Sequence, residues 1–369
     1  MNSYLKHYKM RLHTLAPVFI GSGETITKKE YIFKNNKIYI LDLPKLFELI
    51  NKRNLTDSYM KFVLNGNGQR NSRFTETLAS WLDKNNIKNY DDVTAYVLNG
   101  VRNIEEKKSL KGIQLFIKNA YNEPYIPGSS IKGLLRTVLM WNSVKKNYGT
   151  TVIGKLRKEA EVRAKQSDSR SIKKKVGAVS DSLEKLMFTK KKDDDEWSIM
   201  RGLIVGDSIP VSRDDLVLCE KIDINTNGDE KTPNIFRECI KPGVDIEFDL
   251  TIDSRIFPCR IEDIIKQINI YSKDYYNIVT CSFEDREKED GEIFIGGGAG
   301  YFSKTVSYAL FNMNERYSSV NFVRDFMVKT TNPKHGHRND RDISPHMQKC
   351  TVDDGELYNM GQCRIELVG

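Results

Sequence analysis

The stretch GVDIEFDLTID, residues 243–253, alternates without a break: Ile246, Phe248, Leu250 and Ile252 fall on one side, Asp245, Glu247, Asp249 and Thr251 on the other. A period of two marks a strand with one buried and one wet face. The same pattern opens the chain, where YKMRLHTL, residues 8–15, sets Tyr8, Met10 and Leu12 against Lys9, Arg11 and His13. Each of these strands heads a half that mixes strands with packed helices. This predicts an α+β protein of two ferredoxin-like βαββαβ domains, residues 1–240 and 241–369.

PVFIGSGE turns at Gly21 and Gly23, and the Asn35-Asn36 pair in YIFKNNKIYIL fits a tight hairpin. LPKLFELI starts a helix, and residues from about 50 to 118 read as a mostly helical insertion. Residues 154–175 hold nine Lys/Arg against three Asp/Glu, so the region from about 150 to 196 is expected to be a solvated or mobile basic arm, with an RNA or partner contact as its functional version. RGLIVGDS, residues 201–208, is a strand with Asp207 at its end. Beyond residue 253 come a helix around RIEDIIKQINIYSKDYY, a strand at EIFIGGGAG, a helix after Tyr301 and a closing strand RIELV.

The chain has 369 residues, 39% hydrophobic and 29% charged, which suffices for a sizeable core. Its net charge of +8 favours an acidic partner without naming one. Six cysteines are widely spread with no CxxC pair, which speaks against a disulfide framework or a zinc knuckle. No segment has signal-peptide or membrane-span character, so a soluble cytoplasmic protein is expected. His335, His337, His346 and Cys350 are metal-competent, but their spacing matches no common zinc site. No metal or other cofactor is expected.

Two glycine-rich entrances carry the remaining signal. In YIPGSSIKGLLRTVL, residues 125–139, Gly128 and Gly133 have P-loop spacing, but Leu134 and Leu135 stand where a nucleotide site needs Lys-Ser/Thr. What remains is an anion site at a helix N-terminus, with Ser129 or Ser130 as cap and Lys132 and Arg136 four apart beside it. The helix is anchored by a stripe of Ile131, Leu134, Leu135, Val138 and Leu139. A capped helix with two solvated cations is the plain alternative. In IFIGGGAGYFSKTV, residues 293–306, Gly296, Gly297, Gly298 and Gly300 miss the dinucleotide fingerprint, because Tyr301 takes the place of its last glycine. The loop suits a phosphodiester, with Lys304 as counter-charge, or is simply a tight turn. His13, beside Lys9 and Arg11, is a candidate general base for RNA cleavage.

Together, APVFIGSGE, YIPGSSIKGLLRTVL and IGGGAGYFSKTV, with SPHMQKC and LYNMGQCRIEL at the end, resemble the RAMP superfamily of CRISPR-associated proteins, and within it the family of the fifth Csm subunit of type III-A interference complexes. The resemblance runs over nearly the whole chain. It implies RRM-related domains that hold a CRISPR RNA and cap its 3′ end beside the last backbone subunit, other Csm subunits as partners, and host nucleases recruited for 3′ trimming. It also implies no catalytic residue. The RNA contacts it implies are Arg11, His13, Gly21, Ser22, Gly23, Ser129, Ser130, Lys132, Arg136, Gly296, Gly297, Gly298, Gly300 and Lys304. A metal-independent RAMP endoribonuclease using His13 is the alternative.

Overall fold

A computed structural model describes residues 4–64, 76–99, 112–165, 169–284, 290–312 and 318–368. Parts of the expected insertion (65–75 and 100–111) and of the basic arm (166–168) lie outside the described residues.

The two alternating stretches pair with each other. Strand Leu5–Thr14 runs antiparallel to strand Asp245–Asp253, with Met10 opposite Phe248 and Leu12 opposite Ile246. They form the middle of a five-stranded sheet ordered 292–294, 362–367, 5–14, 245–253, 203–205, in which every pairing is antiparallel. In chain order, strand 5–14, the central helix Gly128–Lys146, strands 203–205 and 245–253, helix Ile261–Ile278 and strand 362–367 make one βαββαβ unit. The expected boundary at 240–241 therefore separates strands of a single sheet. This unit draws its strands from both sides of that boundary. A second, four-stranded sheet is ordered 216–220, 236–240, 112–116, 21–27, and its central pair is parallel.

The period-two pattern decides which face is covered. Met10, Leu12, Ile246, Phe248, Leu250 and Ile252 are buried in one core with Ile131, Leu135 and Val138 of the central helix and Ile261, Ile264 and Ile268 of helix 261–278. The helices lock together through Trp141, whose ring meets that of Tyr271 edge-on with centroids 5.4 Å apart, and whose Nε1 donates to Asp274 at 3.0 Å. The opposite face is a ladder of cross-strand charge pairs. Lys9 lies 3.1 Å from Asp249, and Nδ1 of His13 lies 2.6 Å from Asp245.

The insertion is less helical than expected. Strands 31–34 and 37–41, turned by Asn35 and Asn36 at positive φ, add strand 94–99 to make a three-stranded sheet. Helices Leu43–Lys52, Thr56–Leu64 and Leu78–Lys84 contribute to a small separate core around Tyr59, Phe62 and Trp81. The basic arm is likewise not a mobile tail. Helices Thr151–Lys165 and Ser169–Phe188 bury Ile153, Ala160, Val179 and Leu183, and Lys329 of helix Ser319–Thr330 donates to the Ala164 carbonyl at 2.6 Å. Its charges occupy the wet faces of amphipathic helices. The following KKKDDDE segment forms an exposed hairpin, 189–192 with 195–198.

Candidate nucleic-acid interface

The three glycine-bearing motifs, distant in sequence, meet in one cleft of about 390 Å³. Its walls include Gly21, Ser130 and Gly133 of the central helix, and Gly296, Gly297 and Lys304 after strand 292–294. Residues 130, 133, 134 and 137 line it, one face of the helix at i, i+3, i+4 and i+7. The helix thus offers its flank and not its tip. Gly133 has open space where a Cβ would stand, so the absence of a side chain here widens the cleft. Gly133→Ala is expected to raise stability by up to about 1 kcal/mol, because glycine is a poor helix former, while Gly133→Gln projects into the cleft and obstructs it. Thermal melts and RNA titrations of the two variants separate these effects.

A carboxylate already engages the helix tip. Neither Ser129 nor Ser130 caps it: Pro127 is the N-cap residue, and the Gly128 N–H donates to Asp207 Oδ1 at 2.8 Å. Gly128 is required because a Cβ there would stand 2.3 Å from the Val205 carbonyl oxygen. With a carboxylate already at the helix entrance, an anion gains less from this helix dipole than the sequence implies.

The glycine loop is stitched to the segment before Gly21. The Gly297 N–H donates to the Phe19 carbonyl at 2.7 Å, so this amide is not offered to a ligand. Gly296, Gly298 and Gly300 have φ of 84°, 94° and 86°. A Cβ on Gly298 would lie 2.7 Å from Nη1 of Arg237. Arg237 is half-buried, donates from Nε to Gln114 at 3.0 Å, and stacks its guanidinium over the Phe19 ring at 5.4 Å. Burial pushes its pKa below the usual arginine value. Lys304, at the cleft edge, is likewise pushed down by the protein packed around its ammonium and then by the Arg237 charge. Lys304 thus brings a cation disfavoured by its surroundings to the cleft, with the Arg237 charge behind the loop. Arg237 carried no sequence signal: it lies within strand Phe236–Ile240, and only the parallel pairing with strand Gly112–Phe116 brings it to the loop.

Of the expected contacts, Gly21, Ser130, Arg136, Gly296, Gly297 and Lys304 line the cleft. Arg136 is also engaged, with Nη1 3.2 Å from both carboxylate oxygens of Glu184 in the arm. Ser22 lines a neighbouring cleft and donates to the Leu115 carbonyl at 3.2 Å, while Gly23 is exposed at φ 91°. Ser129 and Lys132 belong to other sides of the helix, and partial burial pushes the Lys132 pKa down. Gly298 and Gly300 face Arg237 and Lys349. Arg11 and His13 stand apart from the cleft on the charged face of the central sheet, where both pair with Asp245. Of the metal-competent residues, Cys350 is buried with Sγ directed at Asn359, whereas His337 and His346 converge on Asp340.

Comparison with known proteins agrees with this architecture. The chain is 27% identical over 394 residues to the CRISPR system Cms protein Csm5 of Mycobacterium tuberculosis (strain CDC 1551 / Oshkosh), covering 100% of this chain and 99% of the relative. It is 27% identical over 317 residues to the protein of the same name from Streptococcus thermophilus, covering 83% and 82%. A chain from the cryo-EM structure of a Csm-crRNA-target RNA ternary complex in a type III-A CRISPR-Cas system superposes with a TM-score of 0.67 at 19% identity, covering 98% of this chain and 100% of that one. The crystal structure of T. onnurineus Csm5 superposes with a TM-score of 0.60 at 19% identity, over 96% and 99%. The model of the RAMP superfamily matches residues 11–257, more than half of the sequence and a span that takes in the end of the opening strand, the central helix and strand 245–253. The chain belongs to the RAMP superfamily.

Proposed function

We propose that this protein is the CRISPR RNA-binding subunit of a type III-A Csm complex that caps the 3′ end of the guide beside the last backbone subunit and supports 3′ maturation by other nucleases. The observation that carries the reading is the convergence of Gly21, Ser130, Gly296 and Lys304 on one cleft, with Arg237 behind the loop. Glycines and cations recognise backbone, not bases, which suits a subunit serving guides of many sequences. The full-length Csm5 relatives support the choice of complex. In this reading the protein binds and does not cut, since His13 does not line the cleft where the motifs meet.

Affinity purification of the tagged protein from its own cells tests this, with bound RNA sequenced and bound proteins identified. Short repeat-spacer RNAs returning with other Csm subunits are the expected result. Unrelated RNA, or none, would sink the proposal. Incubation with precursor RNA in EDTA addresses cutting: specific cleavage lost in His13→Ala would replace the binding role with a nuclease.

A further inference from the structure

Between helix Ser319–Thr330 and strand Met347–Asp353 the chain passes through two short turns, Pro333–His335 and His337–Asn339, and doubles back so that His337, Asp340 and His346 meet. Asp340 is the hub, with its side chain 1% exposed. Its Oδ2 lies 3.0 Å from Nδ1 of His337 and accepts from the Ser344 hydroxyl at 2.6 Å, and its Oδ1 lies 2.5 Å from Nδ1 of His346.

We infer that this triad binds one divalent transition-metal ion of the zinc class. The ligand atoms of the three residues all lie within 4.8 Å of one another. Two imidazoles and a carboxylate select zinc and its neighbours over magnesium or calcium, which take oxygen shells. The ring spacing is an independent measure. Metal–nitrogen bonds of about 2.0–2.1 Å put two imidazole centroids on a tetrahedral ion about 5 Å apart. The centroids of His337 and His346 are 5.1 Å apart.

Without the ion, two N–H···O contacts fill its place. Binding needs each Nδ1 to present its lone pair to the ion, so the contacts to Asp340 give way to metal–nitrogen bonds. Ligand atoms on such an ion are about 3.3 Å apart, so each histidine nitrogen draws back from the Asp340 oxygen it now meets. His337 and His346 also line a cleft of about 850 Å³ that is separate from the glycine-loop cleft and is walled by His335, Lys334 and Lys349. The cleft gives a water or another oxygen ligand access to the ion from that side, while Lys349 in its wall is already paired with Asp223 at 2.8 Å. The inference stands on this geometry and does not depend on the RNA-binding reading.

The full-length protein, stripped with a chelator, is titrated with Zn²⁺ and separately with Co²⁺, whose visible absorption reports tetrahedral nitrogen and oxygen ligation. Saturable binding of one ion per chain is expected, resistant to excess Mg²⁺ and weakened roughly tenfold or more by His346→Gln and by Asp340→Asn. His7→Gln, whose Nδ1 pairs with Thr251 on the central sheet, leaves it unchanged. Native mass spectrometry of the unmutated chain counts the ions and holds whether or not the variants fold. Failure to form a one-ion zinc adduct in the unmutated chain overturns the site, as does an affinity that His346→Gln shifts by less than about twofold.

Discussion

Gly296→Ala is expected to destabilise the protein by about 3–5 kcal/mol, through left-handed backbone strain and a collision with fixed main chain. Gly296 has φ of 84°, a conformation that costs an L-residue about 1–2 kcal/mol. A Cβ there would stand 2.2 Å from the Phe19 carbonyl oxygen and 2.8 Å from Cδ1 of Ile20. The carbonyl cannot withdraw easily, because it accepts from the Gly297 N–H at 2.7 Å and the adjacent Val18 is bonded in both directions to Ile240 at 2.9 Å. Separating loop from segment would surrender these bonds and open the floor of the cleft. Gly297 offers a contrast, since its Cβ would meet Cδ1 of Phe19 at 2.8 Å, and a ring can turn where a carbonyl cannot. Urea unfolding of both variants checks the argument: a loss of less than about 1 kcal/mol for Gly296→Ala would mean that the loop adjusts at little cost.

Replacing both Arg237 and Lys304 by glutamine is expected to weaken binding of single-stranded RNA by about 10–100-fold, with equal effect on unrelated sequences. Each cation that meets a phosphate adds about 0.7 to the slope of log affinity against log salt for a single strand, so the double variant should lower that slope by about 1.4. Arg136 is expected to contribute less, because its guanidinium already pairs with Glu184 across to the arm. Filter-binding titrations over a salt series decide the matter. An unchanged slope in the Arg237/Lys304 double variant would remove the cleft from the RNA path.

Much of the local structure was legible in the residues. Alternation at 8–15 and 243–253 gave two strands with the correct buried faces, the Asn35-Asn36 pair gave a hairpin with positive φ at both positions, and the stripe from Ile131 to Leu139 is buried as its spacing requires. These features depend on neighbours in sequence, whose geometry the backbone period determines. The basic arm was misleading for the same reason, since charge density describes the wet face of a helix and says little about what its other face meets.

Pairing is a different matter. Strand 5–14 lies between strands 245–253 and 362–367, so the halves that each look self-contained share one sheet. The pattern of either strand is compatible with many partners, and the choice is made by which closure buries the most apolar area with its hydrogen bonds satisfied. The same closure carries Asp207 to the helix entrance, Arg237 to the glycine loop and Asp340 between two histidines. Arg237 and Asp340 carry no signal in the sequence and Asp207 reads only as the end of a strand, because their roles depend on atoms contributed from elsewhere in the chain. Strands 5–14 and 245–253, the stripe of the central helix and the Asn35-Asn36 turn are local matters, since backbone sterics and side-chain period act over a few residues. Which side chains share a cleft is a matter of the folded chain, because long-range packing and the pairing of buried polar groups are properties of the assembled core.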